Sequence, residues 1–143
     1  MKNIYQLSAF MENKKGQLAA ILSVLSEHDI DLRALNVAEV SEYGVLRLIP
    51  DDSEKAQKAL TEAGFVIAVN PVFAVAVPDR PGGLNDLLQL LAGDGVDIEY
   101  MYSVFGHKDG LAYMIIAAKN MQTMQESLDK HNITAADSLA LGL

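Results

Sequence analysis

The residues with the clearest chemical potential lie in one stretch near the middle of the chain, Asp79-Arg80-Pro81-Gly82-Gly83-Leu84. The glycine pair lets the backbone approach a ligand closely, and the free N–H groups at the start of the helix predicted to follow attract an anion such as a carboxylate. The Asp79 carboxylate can accept hydrogen bonds from an ammonium group. A zwitterionic amino acid presents these two groups next to each other, so the stretch has the chemistry to bind such a molecule.

An altered copy of this stretch occurs earlier in the chain, as Asn13-Lys14-Lys15-Gly16-Gln17-Leu18. The offset that aligns Gly16 with Gly82 also aligns Leu18, Leu22, Leu25, Asp31 and Gly44 with Leu84, Leu88, Leu91, Asp97 and Gly110. A slightly larger offset aligns Leu60 with Leu128 and Phe65 with Ile133, as a short insertion before the last helix would produce. An internal duplication explains these matches more simply than coincidence does.

The second stretch also has a purely structural interpretation. Arg80-Pro81-Gly82-Gly83 fits an ordinary type II turn, with Pro at the second position and Gly at the third. The sequence alone leaves both interpretations open, and the repeat favours ligand binding because the stretch recurs in the same context.

The sequence gives little support to a metal site, a nucleotide site or a catalytic site. The three histidines show no metal-ligand spacing with each other or with carboxylates, so we expect no bound metal. Gly82-Gly83 lacks the further glycines and the Lys-Ser/Thr pair of nucleotide-binding loops. No pair of carboxylates and no serine in a nucleophile elbow indicates catalysis. We therefore expect neither a cofactor nor a catalytic residue.

Composition narrows the possible partners. The 143 residues carry a formal net charge of −8, which argues against nucleic acid and anionic membrane surfaces because both require clustered Lys and Arg. The chain has no cysteine, which fits a reducing cytoplasm. The N-terminus lacks the pattern of a signal peptide, and no apolar run reaches the ~18 residues of a membrane helix. We expect a cytoplasmic protein.

The apolar patterns of the first half predict the order strand-helix-strand-strand-helix-strand. The predicted elements are a strand at 4–11, a helix with the stripe Leu18, Ile21, Leu22 and Leu25, hairpin strands at 29–39 and 45–49, a helix that ends at Gly64, and a strand at 65–69. Pro50-Asp51-Asp52-Ser53 supplies a stop and a cap before the second helix.

The same order is predicted from Val72 onward. Its elements are a strand from Val72, a helix with the stripe Leu84, Leu87, Leu88 and Leu91, hairpin strands at 97–104 and 111–117, a helix with the stripe Met121, Met124 and Leu128, and an edge strand within 133–143. Asp109-Gly110 ends the hairpin loop and readily supplies positive φ. Asn120 caps the last helix, and Asn132 takes the place of Gly64.

A βαββαβ unit folds as an antiparallel sheet of four strands with two helices on one face, the ferredoxin-like arrangement of the α+β class. We expect two such repeats, residues 1–70 and 71–143, to form a joined antiparallel sheet with the helices packed on one face. Edge-to-edge joining would bury apolar surface that neither repeat could bury alone. Pro71 marks the predicted seam, and no linker is expected there.

These features resemble a tandem ACT-domain protein, a small regulatory module that binds amino acids. Asp79-Arg80-Pro81-Gly82-Gly83-Leu84 is similar to the family pattern Asn/Asp-x-Pro-Gly-x-Leu, and the first copy departs from it at Lys15, where Pro is usual. The resemblance implies a ligand pocket shared between neighbouring ACT units. By this resemblance the ligand side chain points toward the second strand of a repeat, at Tyr100, Met101 and Tyr102 or at Ala34, Leu35 and Asn36. Each of these strand residues is also a reasonable core residue.

The resemblance therefore implies a non-enzymatic regulatory protein that senses a free amino acid between ACT units. We expect a homodimer, with a regulated enzyme as a possible further partner. Two alternatives stay open. One is a small metabolic enzyme on a ferredoxin-like fold, with Asp79 and a tyrosine hydroxyl as acid and base. The other is a regulatory subunit without a ligand of its own.

Overall fold

The computed structural model describes residues 4–12, 14–40, 42–106, 109–136 and 141. The four helices are α1 (Gln17–Glu27), α2 (Ser53–Glu62), α3 (Gly83–Gly93) and α4 (Met121–Lys130). The six strands are β1 (Ile4–Glu12), β2 (Leu32–Val40), β3 (Tyr43–Pro50), β4 (Val66–Pro78), β5 (Ile98–Ser103) and β6 (Leu111–Ala118).

The chain divides into two compact units. The N-terminal unit is Tyr5–Pro71, and the main part of the C-terminal unit is Val72–Leu141. The strands of the N-terminal unit follow the order β2-β3-β1-β4, and those of the C-terminal unit follow the order β4-β6-β5, so that β4 is common to both. The pairs β1–β3, β2–β3, β4–β6 and β5–β6 are all antiparallel. The predicted α+β class and the repeated ferredoxin-like order are confirmed.

Strand β4 differs from the prediction at the junction of the repeats. The predicted strand at 65–69 and the predicted strand from Val72 are one continuous strand of 13 residues, Val66–Pro78. Pro71 lies inside this strand, at the point where the division into two units falls. The predicted absence of a linker is confirmed, but the proline interrupts no strand.

The described part of the predicted last strand forms less strand than expected. Within the described residues of 133–143, one isolated bridge joins Ala135 to Val75, next to a hydrogen bond of 2.6 Å from the Ala136 N–H to the Ala74 carbonyl. The rest of the predicted edge strand, residues 137–140 and 142–143, lies outside the described residues.

Irregularities of the sheets match between the repeats. The register of β2 against β3 shifts between Leu32 and Ala34, and that of β5 against β6 shifts between Ile98 and Tyr100, the equivalent pair of the second repeat. Both hairpins therefore have the same register shift at the same position, which sequence patterns did not reveal.

The register corrects one predicted correspondence. Gly44 lies opposite Met11 within β3, whereas the residue opposite Val77 in the second repeat is Ala112. Gly110 precedes β6 and is not the counterpart of Gly44. The short insertion thus lies in the β5–β6 hairpin loop, and the larger offset applies from β6 onward.

The ends of α2 and α4 confirm the predicted capping residues. The Asp52 carboxylate accepts a hydrogen bond of 3.0 Å from the Lys55 N–H, and the Asn120 side chain accepts one of 3.1 Å from the Thr123 N–H. At the C-terminal ends, Gly64 and Asn132 have positive φ angles of 94° and 55°. Asparagine tolerates this left-handed conformation better than most other residues, so Asn132 takes the place of Gly64.

Each unit has its own hydrophobic core between its two helices and one face of its strands. In the N-terminal unit the fully buried residues include Leu7, Ile21, Leu25, Leu46, Leu48 and Leu60. In the C-terminal unit they include Val75, Leu91, Ile116, Met124 and Leu128. Because side chains alternate along a strand, the residues between these point to the opposite face.

Candidate functional site

The loops before α1 and α3 have the same backbone geometry. The Gln17 N–H donates to the Lys14 carbonyl at 3.2 Å, and the Gly83 N–H donates to the Arg80 carbonyl at 3.0 Å. The third residue of each turn is a left-handed glycine, with φ 87° and ψ −5° at Gly16 and φ 84° and ψ −8° at Gly82. These values are those of a type II turn, so the structural interpretation of the motif is confirmed, and it holds for both copies.

The N-termini of α1 and α3 differ from those of α2 and α4 in how they are capped. The N-cap residues of α1 and α3 are Gly16 and Gly82, and neither helix has a side-chain cap. Helices α2 and α4 are capped by the side chains of Asp52 and Asn120. The Gln17 and Gly83 N–H groups are used within the turns, but no side chain caps the amides that follow them in the first turn of α1 and α3, which suits an external acceptor.

Gly83 is required for a reason other than positive φ. It is buried, and a Cβ atom placed on it would lie 2.1 Å from the Pro78 carbonyl oxygen. The second loop therefore folds closely against the end of β4. The equivalent residue of the first loop is Gln17, which carries a side chain, so the first loop lacks this close approach.

The charged residues of the two loops also differ. The Arg80 guanidinium donates to the Pro81 carbonyl at 3.1 Å and to the Asp86 carboxylate, in the first turn of α3, at 3.0 Å. In the first loop Lys14 pairs with Glu12 at the end of β1, and the first turn of α1 has no acidic residue. The ion pair of the second loop thus connects the turn to α3, whereas that of the first loop connects the turn to the end of β1.

Asp79 is exposed on the second loop. Its N–H donates to the Gly110 carbonyl at 2.8 Å, which ties the loop to the β5–β6 hairpin. Its predicted counterpart, Asn13, lies outside the described residues. Leu18 and Leu84, the last residues of the two motifs, are partly buried and pack against the cores of their units.

The predicted residues of the second strand divide between two faces. Leu35 and Met101 pack against the cores, on the helix side. Tyr100 and Tyr102 lie on the opposite face, with ring centroids 6.5 Å apart and planes 16° from parallel. Strand β6 separates β5 from β4, so the tyrosines are two strands away from the strand that leads into the Asp79 loop.

A polar cluster that sequence reasoning missed joins the C-terminal ends of α3 and α4. The Asp94 carboxylate accepts hydrogen bonds from Ser127 Oγ at 2.7 Å and Lys130 Nζ at 2.7 Å, and its Oδ2 lies 2.8 Å from His131 Nε2. Lys130, Ser127 and His131, in that order of effect, hold the pKa of Asp94 well below its usual range.

Three of the four residues of this cluster have a spacing that can be recognised in the sequence. Ser127, Lys130 and His131 recur at i, i+3 and i+4, which places them on one helix face. Nothing local to that helix identifies Asp94, at the end of the preceding helix α3, as their shared partner. The position is Asp94 in the second repeat and His28 in the first, so the cluster belongs to the C-terminal unit alone.

Two further observations concern the described residues as a set. They contain no group of three or more His, Cys, Asp or Glu residues that could hold a metal ion. In the same part of the chain, no helix is long and apolar enough to cross a membrane.

The fold and the paired glycine loops define a protein built from two βαββαβ modules. The model of the ACT domain pair family matches residues 2–140, and the chain belongs to that family. No match was found among curated proteins.

Solved structures share the fold. Protein BT0572 from Bacteroides thetaiotaomicron is 36% identical with a TM-score of 0.88, and the match covers 98% of this chain and 96% of that one. The ligand-free regulatory subunit of aspartate kinase from Thermus thermophilus is 16% identical with a TM-score of 0.62, over 88% and 90% of the two chains. The corresponding subunit from Thermus flavus is 14% identical with a TM-score of 0.57, over 90% and 93%. The last two matches show a common fold.

Proposed function

We propose that this protein is a non-enzymatic regulator that binds a free amino acid at the N-termini of α3 and α1. The observation that carries the proposal is the contrast in capping: α2 and α4 are closed by side chains, whereas α1 and α3 begin at left-handed glycines without a side-chain cap. A helix start of this kind suits the ligand carboxylate. Asp79, exposed beside α3, suits the ammonium group.

The relatives and the site are consistent with a regulatory role. Two of the similar structures are regulatory subunits of aspartate kinase, which supports a regulated enzyme as a partner. The exposed position of Asp79 favours binding over catalysis, because a general acid or base is commonly tuned by burial. The proposal includes a cytoplasmic location, in keeping with a chain that has no cysteine.

The proposal is tested by measuring the melting temperature of the protein with each of the twenty amino acids. A ligand at about one hundred times its Kd that binds only the folded state adds roughly 2.7 kcal/mol to the free energy of unfolding. For a domain of this size the melting temperature then rises by about 5–10 °C. If no amino acid raises it, the protein is a regulatory subunit without its own ligand or binds another class of molecule.

The variant Asp79→Ala locates the site. It leaves the turn in place and should remove most of the stabilisation by ligand, because the ammonium group loses its acceptor. Asp97→Ala is the matched control: it removes an exposed carboxylate of the same unit that pairs with exposed Lys119, and exposed ion pairs contribute little to stability. A full ligand response in Asp79→Ala would refute the assignment of this loop.

We also expect a homodimer. Strands β2 and β5 end the strand orders of their units, and unpaired edges favour pairing with a second copy. Light scattering should give twice the chain mass of 15.5 kDa at micromolar protein concentration. A monomer mass under those conditions would contradict the expectation.

A further inference from the structure

Strand β2 is an edge strand with little protection against pairing. It ends the strand order of the N-terminal unit, and no strand among the described residues pairs with its outer edge. Natural edge strands are commonly protected by charged side chains, proline or bulges. In β2 the register shifts only at the start, between Leu32 and Ala34, and residues 34–38 contain neither a charge nor a proline. The outer edge of β2 is therefore suited to pairing with a further strand.

Helix α1 lies on the side of the sheet that ends at β2. It connects β1 to β2 and so crosses β3, whereas α2 connects β3 to β4 on the other side. The side chains that α1 exposes are Ala19, Ala20, Ser23, Ser26 and Glu27, and those that α2 exposes include Glu54, Lys55, Lys58 and Glu62. The outer face of α1 is thus nearly uncharged, whereas that of α2 is charged along its length. A helix with few charges on any side is usually covered by another element.

We propose that β2 pairs with β2 of a second copy of the chain, antiparallel and with Asn36 opposite the same residue of that copy. The proposal rests on the homodimer expected above and names the strand that forms it. This is the register in which the first residue of β2 meets the last, so that the whole strand is paired. The facing residues are Leu32 and Val40, Arg33 and Glu39, Ala34 and Ala38, and Leu35 and Val37. Each pair joins two apolar residues or two opposite charges, as stable strand pairs do.

The charges favour β2 of the second copy over β5 as the partner strand. The register shifts make Glu99 of β5 the counterpart of Arg33, so in the equivalent pairing of β2 with β5 Glu39 would face Glu99. Like charges directly opposite each other on paired strands are destabilising. In the pairing of β2 with itself, Glu39 faces Arg33 on both sides of the symmetry axis. Strand β5 is also shorter, with six residues against nine.

The facing charges do not have to leave their contacts within one copy. Arg33 already pairs with Asp31, and a guanidinium has enough donors to meet more than one carboxylate. The argument therefore concerns the sign of the charges that face each other and not a new ion pair. An arginine opposite a glutamate is tolerated at the edge, whereas two glutamates repel each other.

The same symmetry brings the two α1 helices together. A two-fold axis perpendicular to the sheet at Asn36 joins the sheets edge to edge and keeps the helices of both copies on one face. Because α1 lies on the β2 side, the two α1 helices then become neighbours across the axis. Small side chains such as Ala19, Ala20 and Ser23 allow helices to pack at short interaxial distances. The strand edge and the helix face thus fit the same partner.

Single cysteines in the full-length chain test the register, since the chain has no cysteine of its own. Residues directly opposite each other on antiparallel strands have Cα atoms about 4.5–5.5 Å apart, which a disulfide can span. Asn36→Cys should therefore form a covalent dimer under mild oxidation. Val37→Cys is the matched control: Val37 is 46% exposed, but in this register its two copies lie on a diagonal about 7–8 Å apart. We expect it to cross-link roughly tenfold more slowly.

Charge variants test which strands meet, with the dimer Kd measured by sedimentation over a dilution series. Glu39→Lys places like charges opposite each other at both ends of the paired strands and should raise the Kd about tenfold. Arg33→Glu combined with Glu39→Arg exchanges the charges and should restore the dimer. Glu99→Lys makes the same change on exposed β5 and should leave the Kd unchanged. If β2 paired with β5 instead, Glu39→Lys would lower the Kd.

The outcomes separate this proposal from the homodimer itself. A monomer mass for the wild type contradicts both. A dimer in which Asn36→Cys cross-links no faster than Val37→Cys, or which Glu39→Lys weakens no more than Glu99→Lys does, overturns the β2 pairing and leaves the homodimer standing. Asn36 accepts a hydrogen bond from Arg47, so Asn36→Cys must be shown to fold. Glu39→Lys changes an exposed residue and decides between the strands even if Asn36→Cys folds poorly.

Discussion

The two repeats share a backbone but use it differently. Both begin their first helix at a type II turn with a left-handed glycine, and both shift strand register at the same position. The C-terminal unit adds a loop packed tightly at Gly83 and the cluster around Asp94. In the N-terminal unit the aligned strand residues Ser8, Arg47 and Asn36 are polar, whereas their counterparts Ala74, Ile115 and Tyr102 are mostly apolar.

This comparison separates the residues that the shared backbone requires from those that have a role in one repeat alone. A feature present in both copies, such as Gly16 and Gly82, is explained by the shared backbone. A feature present in one copy alone cannot be required by that backbone, because the other copy folds without it. The differences at Gly83, Asp94 and Arg47 are therefore the informative positions for mutation.

The largest expected effect comes from separating the repeats. A chain ending at Asn70 cuts β4 within its 13 residues and removes Val72–Leu141, the main part of the C-terminal unit. A unit of roughly 70 residues buries only about 60% of the surface of its unfolded chain, so little stability remains. We expect circular dichroism to show no cooperative thermal transition. A sharp transition would mean that residues 1–70 form an independent domain.

The next largest effect on the melting temperature is expected from Gly83→Ala. Its comparison is Gln17→Ala, at the equivalent position of the first repeat. The new Cβ at Gly83 would meet the Pro78 carbonyl at 2.1 Å and must displace the backbone. Overpacking of this kind costs about 3 kcal/mol, which lowers the melting temperature by roughly 10 °C. Gln17 already carries a Cβ, so its change to alanine should have little effect. Equal melting temperatures for the two variants would show that the second loop is not held by this close approach.

A smaller, pH-dependent effect is expected from Asp94→Asn. The pKa of Asp94 is lowered on folding, so its contribution to stability is complete above the ordinary carboxyl pKa of about 3.9 and is lost as the pH falls through the lower folded value. The difference in melting temperature between wild type and variant should therefore be greatest near neutral pH and shrink below about pH 4. His28→Asn, at the matching position of the first repeat, should show no such narrowing. A constant difference for Asp94→Asn would exclude the charge as its cause.

The smallest expected effect concerns ligand binding by the first loop. We predict that Asn13→Ala reduces stabilisation by the amino acid less than Asp79→Ala does, because Pro81 pre-sets the second loop and Lys15 leaves the first less constrained. Calorimetric titration of both variants measures this difference in affinity. An equal loss in both would make the two loops equivalent sites.

Much of the candidate site could be predicted because its determinants are close together in the chain. The turn Arg80–Gly83 is set by Pro81 and Gly82, and a hydrogen bond between its first and last residues closes it. The caps at Asp52 and Asn120 are equally local. The prediction was less specific for the strand residues. Side chains alternate along β5, so Met101 lies on one face of the sheet and its two tyrosine neighbours lie on the other. Which face meets a ligand depends on contacts beyond the strand itself.

The sequence by itself determined the repeat, the order of the elements, the helix ends and the glycine turns, since each follows from local propensity or from periodicity within a short segment. Only the tertiary structure decided the continuity of β4 through Pro71, the register that aligns Ser8, Arg47 and Asn36, and the meeting of Asp94 with α4. The physical reason is distance along the chain. Strand register and helix packing are fixed by contacts between residues far apart in sequence, and a shift of one residue would place each side chain on the other face.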